Sequence, residues 1–267
     1  PMPADAPTEP GSTPDRARAP AAGLVPARLA ILVAYRDRAQ HQRAFLPAML
    51  AYFARDPAAA AIPCAIHVLE QVTPGLFNKG RLFNAGFRHL DGSADHVCLH
   101  DVDYVPLAAD YGFTARPALL VGEGFRGHGD AVAAREGRFF GAVVALSSAD
   151  FVRVNGLSNG YWGWGYEDTE LLIRCRAGGR DIDWRKGVFR ALPHRSSQFE
   201  PNGHLKTATV ANRERFMRRM FHLDDPATHA EDGLCNTPAR IVATAPLRTK
   251  SPSRVAVWHH RIEVGAP

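Results

Sequence analysis

The chain has 267 residues, of which 46% are hydrophobic, and this is enough to form one sizeable core. Its formal net charge of +5 suits anionic partners, but no run of basic residues interleaved with aromatic residues indicates nucleic acid binding. No apolar stretch is long enough to cross a bilayer, and residues 1–27, rich in proline and alanine, lack the apolar segment of a secretory signal. We therefore expect a cytoplasmic protein that begins with a disordered leader over residues 1–27.

The residues that follow the leader alternate between predicted strands and predicted helices. The strands are continuous apolar runs, typical of parallel strands covered on both faces, and the helices have apolar residues three and four positions apart. Pro47 weakens the first part of the first helix. In chain order we predict a strand at 28–35, a helix at 41–55, a strand at 64–71, a helix at 78–90 and a strand at 95–101. This order predicts a right-handed α/β layer, whose ligands collect at the carboxyl ends of the strands.

Beyond residue 110 the pattern is looser. A glycine-rich excursion is expected first, and several further elements are expected after it. They are a strand at 138–147, a short helix at 148–156, a loop at 158–168, a helix at 169–179, a strand at 188–194, a helix at 205–221 and strands at 239–245 and 254–264.

Two acidic side chains, Asp101 and Asp103, follow the third predicted strand in the stretch "DVDY". Because side chains alternate along an extended chain, both carboxylates point to the same side. Such like charges repel each other unless a cation lies between them. The stretch therefore indicates either a metal site or a polar turn.

The loop "GYWGWGYED" combines glycines with two tryptophans and ends with Glu167 and Asp168. Tryptophans between glycines suit a movable platform that stacks on a sugar ring. The two carboxylates fall in the first turn of the next helix, where the helix dipole favours anions. The alternative is an acidic helix start beside two core tryptophans.

Several stretches together resemble the β-1,4-galactosyltransferase family, glycosyltransferase family 7, including its xylosylprotein galactosyltransferase branch. In chain order they are "VAYRDRAQHQRAFL", "IHVLEQVTPGLFNKGRLFNAGF", "HDVDYVPLAADYG", "FFGAVVALSSADFVRVNGLSN" and "YWGWGYEDTELLIR". The resemblance covers residues 28–174, with a weaker match through His194. Several motifs in the same order are far more specific than one pair of aspartates.

The resemblance implies a GT-A fold, an α/β fold with a central, mostly parallel sheet flanked by helices. It implies a single catalytic domain over residues 28–267, with a nucleotide-binding part at 28–110, an acceptor and catalytic part at 138–222, and C-terminal strands at 223–267. It also implies Mn²⁺, with Mg²⁺ as an alternative, and transfer of galactose from UDP-galactose with inversion at the anomeric carbon. The partners would be this donor and a glycan or glycoconjugate acceptor.

Matched position by position, the family assigns roles to ten residues. Asp168 would be the catalytic base, and Glu167 would orient the substrate. Asp103 and His194 would bind the metal. The donor would be bound by Arg36, Arg38, Phe77, Lys79, Asp101 and Trp164.

The chain also departs from the family pattern. Thr169 replaces a second aspartate, Phe139 replaces a tyrosine that contacts the donor sugar, and no ligand shortly precedes His194, although His204 or a water could take that place. UDP-GalNAc or UDP-Glc therefore stays open as the donor, as does a non-catalytic protein that binds nucleotide sugars or glycans. A metal-dependent phosphoesterase is a third alternative, but it leaves the tryptophan loop unexplained.

The lack of the membrane anchor found in animal members fits a bacterial cytoplasmic enzyme of polysaccharide biosynthesis, with contact to the inner membrane surface as an option.

Overall fold

The structure is a computed structural model that describes residues 26–122, 126–127, 130–131, 140–193, 206–225, 227–249, 251 and 253–267. The predicted leader, apart from its last two residues, lies outside this range, as do Phe139, His194 and His204. Within the described part of the chain, every helix is too short or too polar to cross a membrane.

The described residues form eleven strands. They are β1 (Leu29–Tyr35), β2 (Cys64–Gln71), β3 (His96–Asp101), β4 (Tyr104–Ala108), β5 (Ala118–Val121), β6 (Arg126–Gly127), β7 (Asp130–Ala131), β8 (Val143–Ser147), β9 (Asp183–Ala191), β10 (Ala239–Pro246) and β11 (Ala256–Val264). The α-helices are α1 (Ala39–Arg55), α2 (Pro57–Ala60), α3 (Lys79–Leu90), α4 (Ser148–Arg153), α5 (Glu167–Ala177), α6 (Thr207–Arg219) and α7 (Ala227–Ala230). Two single 3₁₀ turns follow α6 and α7, at Met220–His222 and Leu234–Asn236.

The sheet has the strand order β10-β11-β2-β1-β3-β8-β5-β9-β6-β7, and β4 pairs with β9. Its centre, β11-β2-β1-β3, is parallel, as predicted for β1, β2 and β3. The sheet as a whole is mixed rather than mostly parallel, because β8 pairs antiparallel with β3 and with β5. Parallel neighbours need a long crossover, usually a helix, whereas the described residues between β3 and β8 contain strands and no helix.

The central strand β1 is covered on both faces. Leu29, Ile31 and Val33 pack in the cluster that contains the apolar face of α1. Ala30 and Leu32 pack in the opposite cluster, which contains α3. This two-sided burial explains why the strand is a continuous apolar run in the sequence.

The helix α1 tests the prediction about Pro47, and the helix α3 fixes the position of a site residue, Lys79. Pro47 lies inside α1 without ending it. Asn78 begins α3, because its side chain accepts a hydrogen bond from the backbone N–H of Arg81 at 2.8 Å. Lys79 is therefore held at the first position of α3, and Gly86 lets the same helix approach the side chain of Leu69.

The loosely patterned region beyond residue 110 contains more strand than predicted. Its described residues include β5, which lies between β8 and β9 in the sheet. β9 begins at Asp183, five positions before the predicted start. The prediction missed these first residues because they are mostly polar and only half-buried. Period and hydrophobicity do not identify such a strand in the sequence.

Candidate active site

Four charged side chains meet where β3 ends and where α3 and α5 begin. The ammonium Nζ of Lys79 lies 2.9 Å from a carboxylate oxygen of Glu167, 2.9 Å from Asp168 and 3.7 Å from Asp101. Glu167 and Asp168 are adjacent at the start of α5, whereas Asp101 precedes Glu167 by 66 residues in the sequence. The structure thus brings together four residues that the sequence assigned to one site.

The charges in this cluster change one another's protonation. Burial alone would lower the pKa of Lys79, but Asp101, Asp168 and Glu167 together raise it well above its usual value. Burial raises the pKa of Asp168 to about 7; Lys79 opposes this rise, and Glu167 and Asp101 add to it. Asp168 is therefore a carboxylate that can take up and release a proton near neutral pH.

The carboxylate of Asp168 rests against Gly141, a contact that the sequence did not indicate. A Cβ atom added at Gly141 would lie 2.2 Å from Oδ2 of Asp168 and 2.5 Å from its Cγ. Only a residue without a side chain leaves room for the carboxylate. The next residue, Ala142, has a left-handed φ of 62° and accepts a hydrogen bond from the backbone N–H of Asp101 at 2.8 Å.

Asp103 lies two residues beyond Asp101, in the turn between β3 and β4 rather than in an extended strand. Its side chain is mostly buried, and Nη1 of Arg38 lies 3.9 Å from its Oδ2. Its carbonyl accepts a hydrogen bond from the backbone N–H of Leu192 at 2.7 Å, so the chain that leads to His194 passes beside it. His194 itself lies outside the described residues. Within the described ranges, no group of three or more His, Cys, Asp or Glu side chains is arranged to hold a metal ion.

Arg36 and Phe77 are neighbours at the end of β1. Nη1 of Arg36 donates a hydrogen bond of 2.6 Å to the carbonyl of Gly75, and the guanidinium carbon lies 5.7 Å from the ring centroid of Phe77. The loop that carries Phe77 is ordered by Gln71, which is buried and was not predicted. Its amide donates to the carbonyls of Thr73 and Leu76 and accepts from the N–H of Asn78. A glutamine at the end of a buried strand was the available signal.

The two tryptophans of the glycine-rich loop have different environments. Trp162 is half-buried, and the guanidinium carbon of Arg81 lies 4.5 Å from its ring centroid. Trp164 is 42% exposed, beside Gly163 and Gly165, which have left-handed φ angles of 80° and 102°. Trp164 is therefore the more accessible of the two indoles for contact with a ligand.

A buried ion-pair network fixes α5 below the site. Nη2 of Arg174 lies 2.7 Å from Oε1 of Glu170, both side chains are fully buried, and Nη2 of Arg219 donates to the same oxygen at 3.0 Å. Burial alone would raise the pKa of Glu170, but Arg174 and Arg219 hold it below its usual value. Asp232 accepts a hydrogen bond of 2.8 Å from Arg215 of α6, and this bond joins the segment "DGLCNT" at residues 232–237 to that helix. These contacts hold the start of α5, with Glu167 and Asp168, in place.

Comparisons with known proteins agree with this geometry. The family description "N-terminal region of glycosyl transferase group 7" matches residues 13–114, and "N-terminal domain of galactosyltransferase" matches residues 133–195. The β-1,4-galactosyltransferase 7 of Drosophila melanogaster is 30% identical over 203 residues, which cover 73% of this chain and 60% of that protein. The human protein of the same name is 33% identical over 172 residues, which cover 61% and 48%. The chain thus spans about half to three-fifths of the length of these relatives.

Two solved structures show the same fold. The catalytic domain of the Drosophila β1,4-galactosyltransferase 7 in complex with xylobiose superposes with a TM-score of 0.69 at 24% identity, covering 90% of this chain and 95% of that one. A mutant of that enzyme in complex with manganese, UDP-Gal and xylobiose superposes equally well. The fold is therefore the GT-A glycosyltransferase fold, as the sequence predicted.

Proposed function

We propose, because the chain belongs to the glycosyl transferase group 7 family, that it is a metal-dependent, inverting glycosyltransferase that moves galactose from UDP-galactose to a sugar hydroxyl. One observation carries this proposal. Lys79 gathers Asp101, Glu167 and Asp168 at the carboxyl edge of the sheet, where α/β folds bind their ligands, and Asp168 has a pKa of about 7. A protein that only binds sugars needs no general base, so this arrangement favours an enzyme over a binding protein.

Asp168 would act as the general base. Its carboxylate accepts a hydrogen bond from Lys79 and fits beside Gly141, which has no side chain. This carboxylate would accept the proton of the acceptor hydroxyl as that oxygen attacks C1 of the donor sugar. Glu167, bound to the same ammonium, would accept hydrogen bonds from acceptor hydroxyls and orient the acceptor. Trp164 would cover the sugars and exclude water that would otherwise hydrolyse the donor.

Residues at the ends of β1 and β3 would bind the donor. Arg36 and Arg38 would contact the diphosphate, because guanidinium groups bind phosphate oxygens in pairs. Phe77 and Asp101 would contact the nucleotide sugar. These four roles, like that of Lys79, are assigned by matching family positions, and the structure supports them by placing the residues at one edge of the sheet.

A divalent cation of the Mn²⁺ type would bind at Asp103, although the described residues bring no group of three possible ligands together. Asp103 offers hard carboxylate oxygens at the strand end, and the chain that passes beside it leads to His194. Bound there together with the diphosphate, the ion would stabilise negative charge on the departing UDP. Asp103 and His194 would hold it, with Arg38 lying 3.9 Å from the carboxylate of Asp103.

The acceptor can be proposed only from the relatives. Xylobiose occupies the named complexes of the Drosophila enzyme, so xylosides are the first acceptors to test. UDP-GalNAc and UDP-Glc are the alternative donors, and a nucleotide-sugar-binding protein without activity is the alternative function. A role in bacterial polysaccharide biosynthesis, in the cytoplasm or at the inner membrane surface, stays a prediction, because the relatives named above are animal proteins.

The deciding experiment is a screen of nucleotide sugars for UDP release with Mn²⁺, with and without xylosides and other sugar acceptors. We expect acceptor-dependent release with UDP-galactose that EDTA abolishes. The isosteric variant Asp168→Asn should lose transfer by on the order of a thousandfold and keep its affinity for UDP, because an amide cannot act as a base. Transfer by this variant at the parental rate would exclude Asp168 as the base. UDP binding without release from any donor would favour the binding protein.

A further inference from the structure

The backbone of the tryptophan loop is held by one side chain of α6, Asn212. This residue is only 4% exposed, although it lies on a helix whose neighbouring positions face solvent. Its Nδ2 donates hydrogen bonds to the carbonyls of Trp162 at 2.8 Å and Trp164 at 3.0 Å, and its Oδ1 accepts one from the N–H of Trp162 at 3.2 Å. Both donor hydrogens and the acceptor oxygen of the amide are thus directed at the loop.

The peptide between the two tryptophans is fixed from two sides. The N–H of Gly163 donates to the carbonyl of Phe77 at 2.7 Å, which joins the loop to the segment that follows β2. On the opposite side, α6 approaches so closely that a Cβ atom at Gly163 would lie 3.2 Å from the Cβ of Ala208. The loop is therefore bound between the Phe77 segment and α6, and Asn212 supplies its hydrogen bonds to α6.

Burial does not fix the indole of Trp164. Its side chain is 42% exposed, so the backbone from which it projects largely determines where the ring lies. Asn212 binds the carbonyl of this same residue. A change in that hydrogen bond moves the origin of the Trp164 side chain rather than a distant part of the loop.

We propose that Asn212 is a positioning residue, which places Trp164 over the sugar-binding cleft through three hydrogen bonds to the loop backbone. The proposal rests on the proposed function in so far as Trp164 contacts the sugars. An amide is required at this position, because the loop presents two acceptors and one donor. Aspartate has the same shape but offers no donor, and its carboxylate would face two carbonyl oxygens.

The test compares Asn212→Asp and Asn212→Ala with the parent chain and with Arg213→Ala, an exposed neighbour on the same helix. The first measurement is acrylamide quenching of tryptophan fluorescence, and the share of Trp164 is obtained by subtracting the signal of each variant that also carries Trp164→Phe. We expect the quenching constant of Trp164 to rise in both Asn212 variants and to stay unchanged in Arg213→Ala. This readout needs no activity, so it decides on positioning even if the chain transfers no sugar and the proposed function fails.

The second measurement is kinetic. We expect kcat for transfer to fall on the order of a hundredfold in Asn212→Asp, because misplacement of a substrate-contacting group by about 1 Å has such an effect. The dissociation constant of UDP with Mn²⁺ should stay within about threefold of the parental value, since Trp164 would contact the sugars and the residues proposed to bind the diphosphate and the metal are unchanged. Unchanged quenching of Trp164 would overturn the proposal. An equal loss of UDP affinity and of transfer would also overturn the proposal, because such a loss would show a general structural role of Asn212. If Asn212→Asp fails to fold, both measurements are made on Asn212→Ala, which introduces no charge.

Discussion

Replacement of Gly141 by alanine should disable the proposed base without any change to the base itself. The new Cβ atom would lie 2.2 Å from Oδ2 of Asp168, whereas such atoms rarely approach closer than about 3.2 Å, so the oxygen must move by about 1 Å. The backbone of Gly141 does not have a left-handed φ, so alanine adds no backbone strain of its own. Because a displacement of 1 Å costs about a hundredfold in rate, we expect kcat to fall about a hundredfold, or about 2.7 kcal/mol in the activation barrier.

The assay is acceptor-dependent UDP release at saturating donor and acceptor, together with calorimetric titration of UDP in the presence of Mn²⁺. Binding of UDP should be unchanged, because the three atoms nearest the new methyl group all belong to Asp168, which is not one of the proposed donor residues. Gly178→Ala is the matched control, since a Cβ atom at the end of α5 comes no closer than 3.4 Å to any neighbour. If Gly141→Ala transfers sugar within about twofold of the parental rate, the carboxylate of Asp168 either is not the base or does not need this position.

Two further predictions concern the charges of the site. In a pH profile of kcat, the rate of transfer should rise with pH through about 7, because Asp168 must lose its proton to act as a base. Lys79→Met should move the midpoint of this profile to higher pH, since the ammonium lowers the pKa of Asp168. Lys79→Arg keeps a positive charge and should leave the midpoint near 7. A midpoint that does not move in Lys79→Met would contradict the assigned coupling. Asp103→Ala should abolish the effect of Mn²⁺ on UDP affinity measured by calorimetry, and an unchanged effect would remove Asp103 from the metal site.

The position of each carboxylate in its own element could be predicted from the sequence pattern, whereas the grouping of the carboxylates with Lys79 in one site came from the resemblance to the family. Asp101 follows a buried strand of the parallel centre, and the carboxyl ends of parallel strands meet at one edge of a sheet. Glu167 and Asp168 follow a glycine-rich loop at a helix start, where anions are favoured. Each placement depends on local pattern and on the order of the elements, both of which the sequence contains.

The contacts that refine the site could not be predicted in this way. Gly141 matters because of the position of Asp168, which is 27 residues away in the sequence and reaches it only in the folded chain. Asn212 has the appearance of an ordinary polar residue on a helix surface, and its burial depends on where the tryptophan loop lies. Likewise, only the position of Arg81 shows that Trp162 is covered while Trp164 is exposed. Such roles come from tertiary contacts, about which hydrophobic period and motif spacing carry no information.

The distribution of charge in the site bears on where the proposed donor and acceptor would bind. Lys79 with its three carboxylates carries one positive and three negative charges, a net of −2 when all are ionised, at the start of α5. Arg36 and Arg38 lie instead at the end of β1, where Arg38 also faces Asp103. Because Ala34 of β1 pairs with Asp101 of β3, the arginines and the Lys79 cluster adjoin at Asp101. Under the proposed function, the diphosphate would bind at the arginines, the donor sugar near Asp101 and the acceptor hydroxyl at Glu167 and Asp168. The acceptor oxygen would then approach C1 of the donor sugar from the side of α5, which is the arrangement that an inverting transfer requires.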